Sequence, residues 1–264
     1  SGGAVFATVN GGLRWDQQTS GLARNLNGVT AVDVSTVWIA ADGGYLLRTS
    51  NGGAAWNALL SPVKDEVFEA VCSGDAGVLA VGDLGYMLRS TDGGASWKVE
   101  DKGKRKSVNW VTFFNAQHGW GVGEDGVILH TMDAGATWLE ESAKLGNALF
   151  GAKAASRDKV WAVGESGVIL SSADAGLTWT QQPIAYSNIL LGIDCASPLE
   201  AWTVGELGIV LHSTDGGVVW TKQETGRQEM LFGLCVIDAR TLCTVGEGGI
   251  ILRSGDAGAT WQPQ

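Results

Sequence analysis

One motif recurs seven times at a fixed distance, and that periodicity limits the chain to a repeat architecture. The segments TVNGGLRW, TSNGGAAW, STDGGASW, TMDAGATW, SADAGLTW, STDGGVVW and SGDAGATW end at Trp15, Trp56, Trp97, Trp138, Trp179, Trp220 and Trp261, each 41 residues beyond the last. No insertion or deletion interrupts the series, so each copy is one supersecondary unit stacked on its neighbours. The third residue of each box is Asn10, Asn51, Asp92, Asp133, Asp174, Asp215 or Asp256. A short Asp or Asn side chain at such a place bonds backbone N–H groups of its own turn, and the box is expected to act as a structural staple with Trp packed beneath it.

Within one period, four short β-rich runs (ALFGAKA, VWAVG, GVILSS and LTWTQ) are separated by turn residues, and no helical period survives. Four strands in about 40 residues is the blade of a β-propeller, whereas solenoids of that period are mostly helical. The expected fold is therefore all-β, a propeller of four-stranded antiparallel blades forming a single domain over residues 1–264. Gly44, Gly85, Gly126, Gly167, Gly208 and Gly249 share one register between the second and third strands, where a tight hairpin needs positive φ. Counting back 41 residues from Gly44 reaches Gly3, so the chain opens with half a blade before six complete ones. Six blades with an extra hairpin, or seven with the half completed from another segment or chain, both remain open.

Composition narrows the function classes. Acidic residues outnumber basic ones 28 to 18, for a net charge of −10, which removes the electrostatic footprint of a nucleic-acid binder. No apolar run reaches the roughly 18–20 residues of a membrane helix, and SGGAVFATVNGG lacks the blocks of a signal peptide. A soluble protein that does not span a membrane is expected. Cys72, Cys195, Cys235 and Cys243 show no CxxC spacing and lie in apolar stretches, which reads as buried thiols rather than disulfides or metal ligands. No cofactor and no metal are expected.

The boxes resemble the Asp-box, or BNR, repeat. The longer unit GWGVGEDGVILHTMDAGATW, residues 119–138, resembles the photosystem II stability and assembly factor family, and the resemblance extends over essentially the whole chain. Members of that family are seven-bladed propellers that act as non-enzymatic assembly chaperones for a photosynthetic membrane complex. The resemblance thus implies a protein partner, such as a subunit of a membrane complex, and favours a periplasmic, lumenal or secreted compartment. Asn10 and Asn51 depart from the box Asp, and Leu79 and Cys243 depart from the Trp of the second strand.

Up-and-down tracing puts the loops between blades and the turns after the second strand on one face, with the Asp boxes on the other. Asp42, Asp83, Glu124, Glu165, Glu206 and Glu247 occupy one turn position on the first face. They are read as hairpin carboxylates satisfied by local N–H groups, since sheets about 10 Å apart cannot share an ion bound at about 2.4 Å. Against this acidic background KVEDKGKRKS places Lys102, Lys104, Arg105 and Lys106 in one loop, with Arg24 and Arg227 in the corresponding loops of other blades. These six are candidates for contact with an acidic partner. The innermost strand reads Gly28, Glu69, Trp110, Gly151, Gly192 and Gly233 in one register, and Glu69 and Trp110 break its glycine pattern, which makes them candidates for contact with a peptide or ligand.

A sialidase-like or glycan-binding propeller is the alternative, with Arg24, Arg105, Arg227 and Tyr186 supplying the residue types that such chemistry uses. Their differing registers argue against catalysis, and no Ser/His/Asp or His/Cys cluster emerges. His130 and His212 share a third-strand position with Arg48, Arg89, Ser171 and Arg253, which reads as a tolerant surface. The favoured reading is a non-catalytic protein-binding propeller; an amplified or engineered scaffold without a ligand is a third. Strand exchange between copies would complete the half blade.

Overall fold

The computed structural model describes residues 2–64, 67–72, 77–101, 106–142 and 145–264. A two-stranded antiparallel sheet, β1 (Ala4–Ala7) and β2 (Asp16–Thr19), precedes six four-stranded antiparallel blades, each ordered as in the sequence. The first blade holds β3 (Leu26–Ala31), β4 (Val37–Ala41), β5 (Tyr45–Thr49) and β6 (Asn57–Leu60). The second holds β7 (Val67–Cys72), β8 (Val78–Gly82), β9 (Met87–Ser90) and β10 (Lys98–Asp101). The third holds β11 (Val108–Phe113), β12 (Gly119–Gly123), β13 (Val127–Thr131) and β14 (Leu139–Ser142). The fourth holds β15 (Leu149–Ala154), β16 (Val160–Gly164), β17 (Ile169–Ser172) and β18 (Thr180–Gln181). The fifth holds β19 (Leu190–Cys195), β20 (Ala201–Gly205), β21 (Val210–Ser213) and β22 (Thr221–Gln223). The sixth holds β23 (Leu231–Val236), β24 (Leu242–Gly246), β25 (Ile251–Ser254) and β26 (Gln262–Pro263). The fold is all-β, with blades of the β-propeller type, and among the described residues no helix is long and apolar enough to cross a membrane.

The chain parts into two compact units, Ser1–Gly121 with Leu129–Leu139, and Val122–Ile128 with Glu140–Gln264. In the first, Trp38, Ala40, Leu46, Val78, Ala80 and Leu88 form a buried cluster drawn from two successive blades. In the second, Trp161, Val163, Ile169, Leu190, Ile193, Leu211 and Trp220 do the same. Burying both faces of each sheet explains second strands that are buried at every position, as in β16 and β20.

The expected hairpin glycines have φ between 66° and 79°. Their predecessors Leu84, Asp125, Ser166 and Leu207 are also left-handed, at φ 51–56°, although none is glycine. The fourth strand is shorter than LTWTQ implies: β18 covers only Thr180–Gln181. Residues 177–179 belong to the box turn, where Thr178 N–H donates to Asp174 Oδ1 at 2.9 Å.

The box is a closed local network. Ser172 Oγ donates to Asp174 Oδ1 (2.7 Å) and accepts from Gly176 N–H (2.8 Å), while Thr178 Oγ1 donates to Asp174 Oδ2 (2.6 Å). Asn51 reproduces the Oδ1 half, accepting from Thr49 Oγ1 and Ala55 N–H, both at 2.9 Å. An amide lacks the second acceptor oxygen, and the boxes of Asn10 and Asn51 place Arg14 and Ala55 where the others mostly carry a hydroxyl.

The box tryptophan reaches beyond its own turn. Trp220 meets Trp161 of the preceding blade edge-on at 5.6 Å, and Trp97 meets Trp38 likewise at 5.7 Å. The third-strand position expected to be a tolerant surface instead faces these second-strand tryptophans. His212 stacks on Trp202 at 4.2 Å, the buried His130 stacks on Trp120 at 4.9 Å, and the Arg48 guanidinium lies 5.6 Å from the Trp38 ring. These residues are directly opposed cross-strand partners, such as Trp202 and His212, so their side chains share one face.

Candidate functional site

The loops between blades and the turns after the second strands lie together. Asp42 N–H donates to Asn25 O, and Glu165, Glu206 and Glu247 donate in the same way to Ala148, Ile189 and Met230. On the opposite end, box residues such as Gly216 and Ala257 donate to Leu199 O and Arg240 O in the turns after the first strands.

Four of the turn carboxylates are engaged by groups outside their own hairpins, those of Asp42, Glu165 and Glu206 by residues 15–17 positions upstream and that of Asp83 by one 24 positions downstream. Ala148 N–H donates to Glu165 Oε2 at 3.0 Å and Ile189 N–H to Glu206 Oε2 at 3.3 Å. Asp42 accepts from the side chains of Asn25 (2.8 Å) and Asn27 (3.0 Å), and Asp83 accepts from Ser107 Oγ at 3.4 Å. The carboxylates of Asp42, Glu165 and Glu206 tie their turns to the entry of the first strand of their own blade, whereas Asp83 in the second blade reaches Ser107, just before the first strand of the third. Among the described residues, no group of three His, Cys, Asp or Glu side chains could hold a metal ion.

Of the basic candidates, Lys102, Lys104 and Arg105 lie outside the described residues. Lys106 is half-buried just before β11. Arg24 is exposed, with its guanidinium 5.0 Å from the centre of the Tyr45 ring. Arg227 is exposed and lies 3.9 Å from Glu229, too far for a tight ion pair. Tyr186 packs partly buried against the cluster of Trp161, Ile193 and Leu211.

The innermost register is set by a bulge. Leu149 pairs with Gly164 and Gly151 with Val163, so Phe150 is the extra residue; the same slip precedes Gly28, Glu69, Gly192 and Gly233. Glycine is required there by close approach. A Cβ on Gly151 would stand 2.8 Å from the carbonyl oxygen of Leu191, and one on Gly192 would stand 3.2 Å from that of Phe232. Glu69 occupies this register on β7 and is only 3% exposed, while Trp110 is half-buried on β11, which packs against β7.

One cluster was missed at sequence level. Lys153 Nζ lies 2.7 Å from Asp194 Oδ1, and Asp194 also accepts from Cys195 N–H (2.9 Å) and Val236 N–H (2.8 Å), joining the innermost strands of three blades. Burial alone would lower the pKa of Lys153, but the charge of Asp194 and the hydrogen bond to it, with smaller contributions from Cys195 and Cys235, leave it raised. The signal was present in the spacing: Lys153, Asp194 and Cys235 are 41 residues apart.

A family model described as "Photosynthesis system II assembly factor YCF48" matches residues 61–181 and 177–263. Among solved structures, YCF48 from Cyanidioschyzon merolae is 17% identical over 91% of this chain and 85% of that one, with a TM-score of 0.75. A structure described as "YCF48 bound to D1 peptide" is 19% identical over 91% and 81%, also at 0.75. An ancestral GH74 enzyme is 14% identical over 87% of this chain and 36% of that one, at 0.72. At these identities the structural likeness shows the propeller fold alone. No curated protein matches the chain significantly.

Proposed function

We propose, from the premise that the chain belongs to the photosynthesis system II assembly factor YCF48 family, that it is a non-catalytic propeller whose loop-bearing face captures a segment of a protein undergoing assembly. The observation that carries this reading is the family match through residues 61–263, joined by a relative of the same fold that binds a D1 peptide. The face offers suitable chemistry. Its acidic turn positions include Asp42, Glu165 and Glu206, whose carboxylates accept bonds from the protein itself, whereas Arg24 and Arg227 stand exposed. An acidic or polar extended segment is the kind of partner that such a face attracts.

Lys102, Lys104, Arg105 and Lys106, with Arg24, Arg227, Trp110 and Glu69, are the residues proposed for contact with that segment. The test is titration of an immobilised D1 peptide with the wild-type chain and with a variant reversing all four charges of the 102–106 loop. Binding that weakens with added salt, and at least tenfold on reversal, is expected. Unchanged affinity on reversal would remove that loop from the site. Turnover of a fluorogenic sialoside, abolished by Tyr186→Phe, would replace the whole reading with a catalytic one.

A further inference from the structure

We propose that Cys235 and Cys243 form a thiol modification site in the sixth blade, which exchanges with a small disulfide and closes to a cross-strand bond. The two residues are direct partners in the antiparallel pairing of β23 with β24. Residues so opposed hold their Cα atoms about 4.5–5.5 Å apart, with side chains on the same face of the sheet. That separation lies within the span a disulfide bridges, about 4.4–6.8 Å. Both thiols are free.

The two cysteines arise at positions that carry other chemistry elsewhere in the repeat. Position 243 holds the second-strand tryptophan in Trp38, Trp120, Trp161 and Trp202, and position 235 corresponds to Lys153 and Asp194. Both changes to cysteine fall in one blade, directly across from each other. Cys235 is exposed and Cys243 is 7% exposed, so their roles differ. This corrects the reading of all four cysteines as buried.

Cys235, the more exposed residue of the pair, is the one that a bulky reagent reaches first. The Cys235 thiolate attacks a sulfur of oxidised glutathione, forming a mixed disulfide and expelling one glutathione thiolate. The Cys243 thiolate then attacks the Cys235 sulfur, closing the protein disulfide and expelling the second. The two protons lost by the cysteines end on the two glutathione thiols, so two protein thiols are oxidised as one glutathione disulfide is reduced. Burial pushes both cysteine thiols above their ordinary pKa, with Asp194 adding to the effect at Cys235, so the reaction proceeds through a small thiolate fraction.

Tryptic digestion reads the result directly, because cleavage after Arg227, Arg240 and Arg253 puts the two cysteines on separate peptides. The folded full-length chain is incubated with oxidised glutathione, alkylated and digested without reductant. Peptides 228–240 and 241–253 are expected to appear joined, two hydrogens lighter than their sum, with two of the four thiols lost. Cys243→Ser is expected to retain glutathione on Cys235. Absence of the joined pair, linkage of Cys235 to Cys195 or Cys72 in comparable yield, or no adduct on Cys235 in the Cys243→Ser variant would each overturn the proposal.

Discussion

The indole of Trp161 in the fourth blade lies against the backbone of Gly217 in the box of the fifth, so close that a Cβ on Gly217 would stand 2.5 Å from Cη2. Gly217 also has φ +95°, in the left-handed region. Two constraints of different origin therefore fall on one residue. Gly217→Ala is expected to cost about 2–4 kcal/mol in urea unfolding, from overpacking added to backbone strain. Its neighbour Gly216 also has positive φ, but a Cβ there meets Leu199 Cδ2 at an ordinary 3.5 Å. Ala134, Ala175 and Ala257 already occupy that register, so Gly216→Ala should cost about 1 kcal/mol. Equal costs for the two variants would show that φ, and not the tryptophan, selects the glycine.

The box carboxylates set an acid limit on stability. Hydrogen bonds from Ser96 and Ser90 hold Asp92 at a pKa of about 2, and Asp133, Asp174, Asp215 and Asp256 are lowered too. A folded pKa below the unfolded value gives stability that is present above about pH 4 and lost as pH falls toward 2. Asp92→Asn keeps the Oδ1 acceptor but not the ionised one, and should flatten that acid arm in urea midpoints measured at stepped pH. Superimposable arms would show that the box contributes no linkage.

The Asp194 carboxylate is expected to matter more than the lysine facing it. Asp194→Ala removes the Lys153 contact and strands the N–H of Val236, at a cost of about 2–4 kcal/mol. Lys153→Met should cost about 1 kcal/mol, because two N–H donors still satisfy the carboxylate. The double variant should be less destabilised than the sum, and strict additivity would deny the coupling.

A histidine response is superimposed at milder pH. Burial, with His118 nearby, lowers the pKa of His130 below its ordinary value. The unfolded chain then binds the proton more readily, so stability rises with pH up to about 6.5 and falls below it. His130→Phe retains a flat ring against Trp120 and should weaken the pH dependence of the thermal midpoint between about pH 6.5 and 5. An unaltered dependence would assign it to other groups.

The architecture was legible because it is periodic. Seven boxes in register, glycine at each hairpin and apolar second strands leave little choice of blade, and the observed strands fall where those signals lie. What escaped was interaction across the period. Nothing local in His212 or His130 announces that each stacks on a tryptophan, since strand pairing alone brings them together. The acidic turn positions were visible, but the donors at Ala148 and Ile189 belong to backbone and carry no residue signature. Lys153 and Asp194 were countable at 41 residues apart, yet their contact depends on first strands of successive blades lying side by side. The basic loop stood out by composition, and residues 102–105 fall outside the described positions.

The box glycine and the tryptophan that covers it reside in different copies of the repeat, as do Trp202 and the carbonyl of Ala257 to which its Nε1 donates at 3.1 Å. In both pairs a module is therefore finished by its successor. Gain or loss of a whole 41-residue cassette preserves every such junction, because the newcomer brings both halves of the fastening, whereas a shorter insertion breaks one. A chain fastened this way is expected to tolerate change in whole 41-residue steps better than shorter insertions.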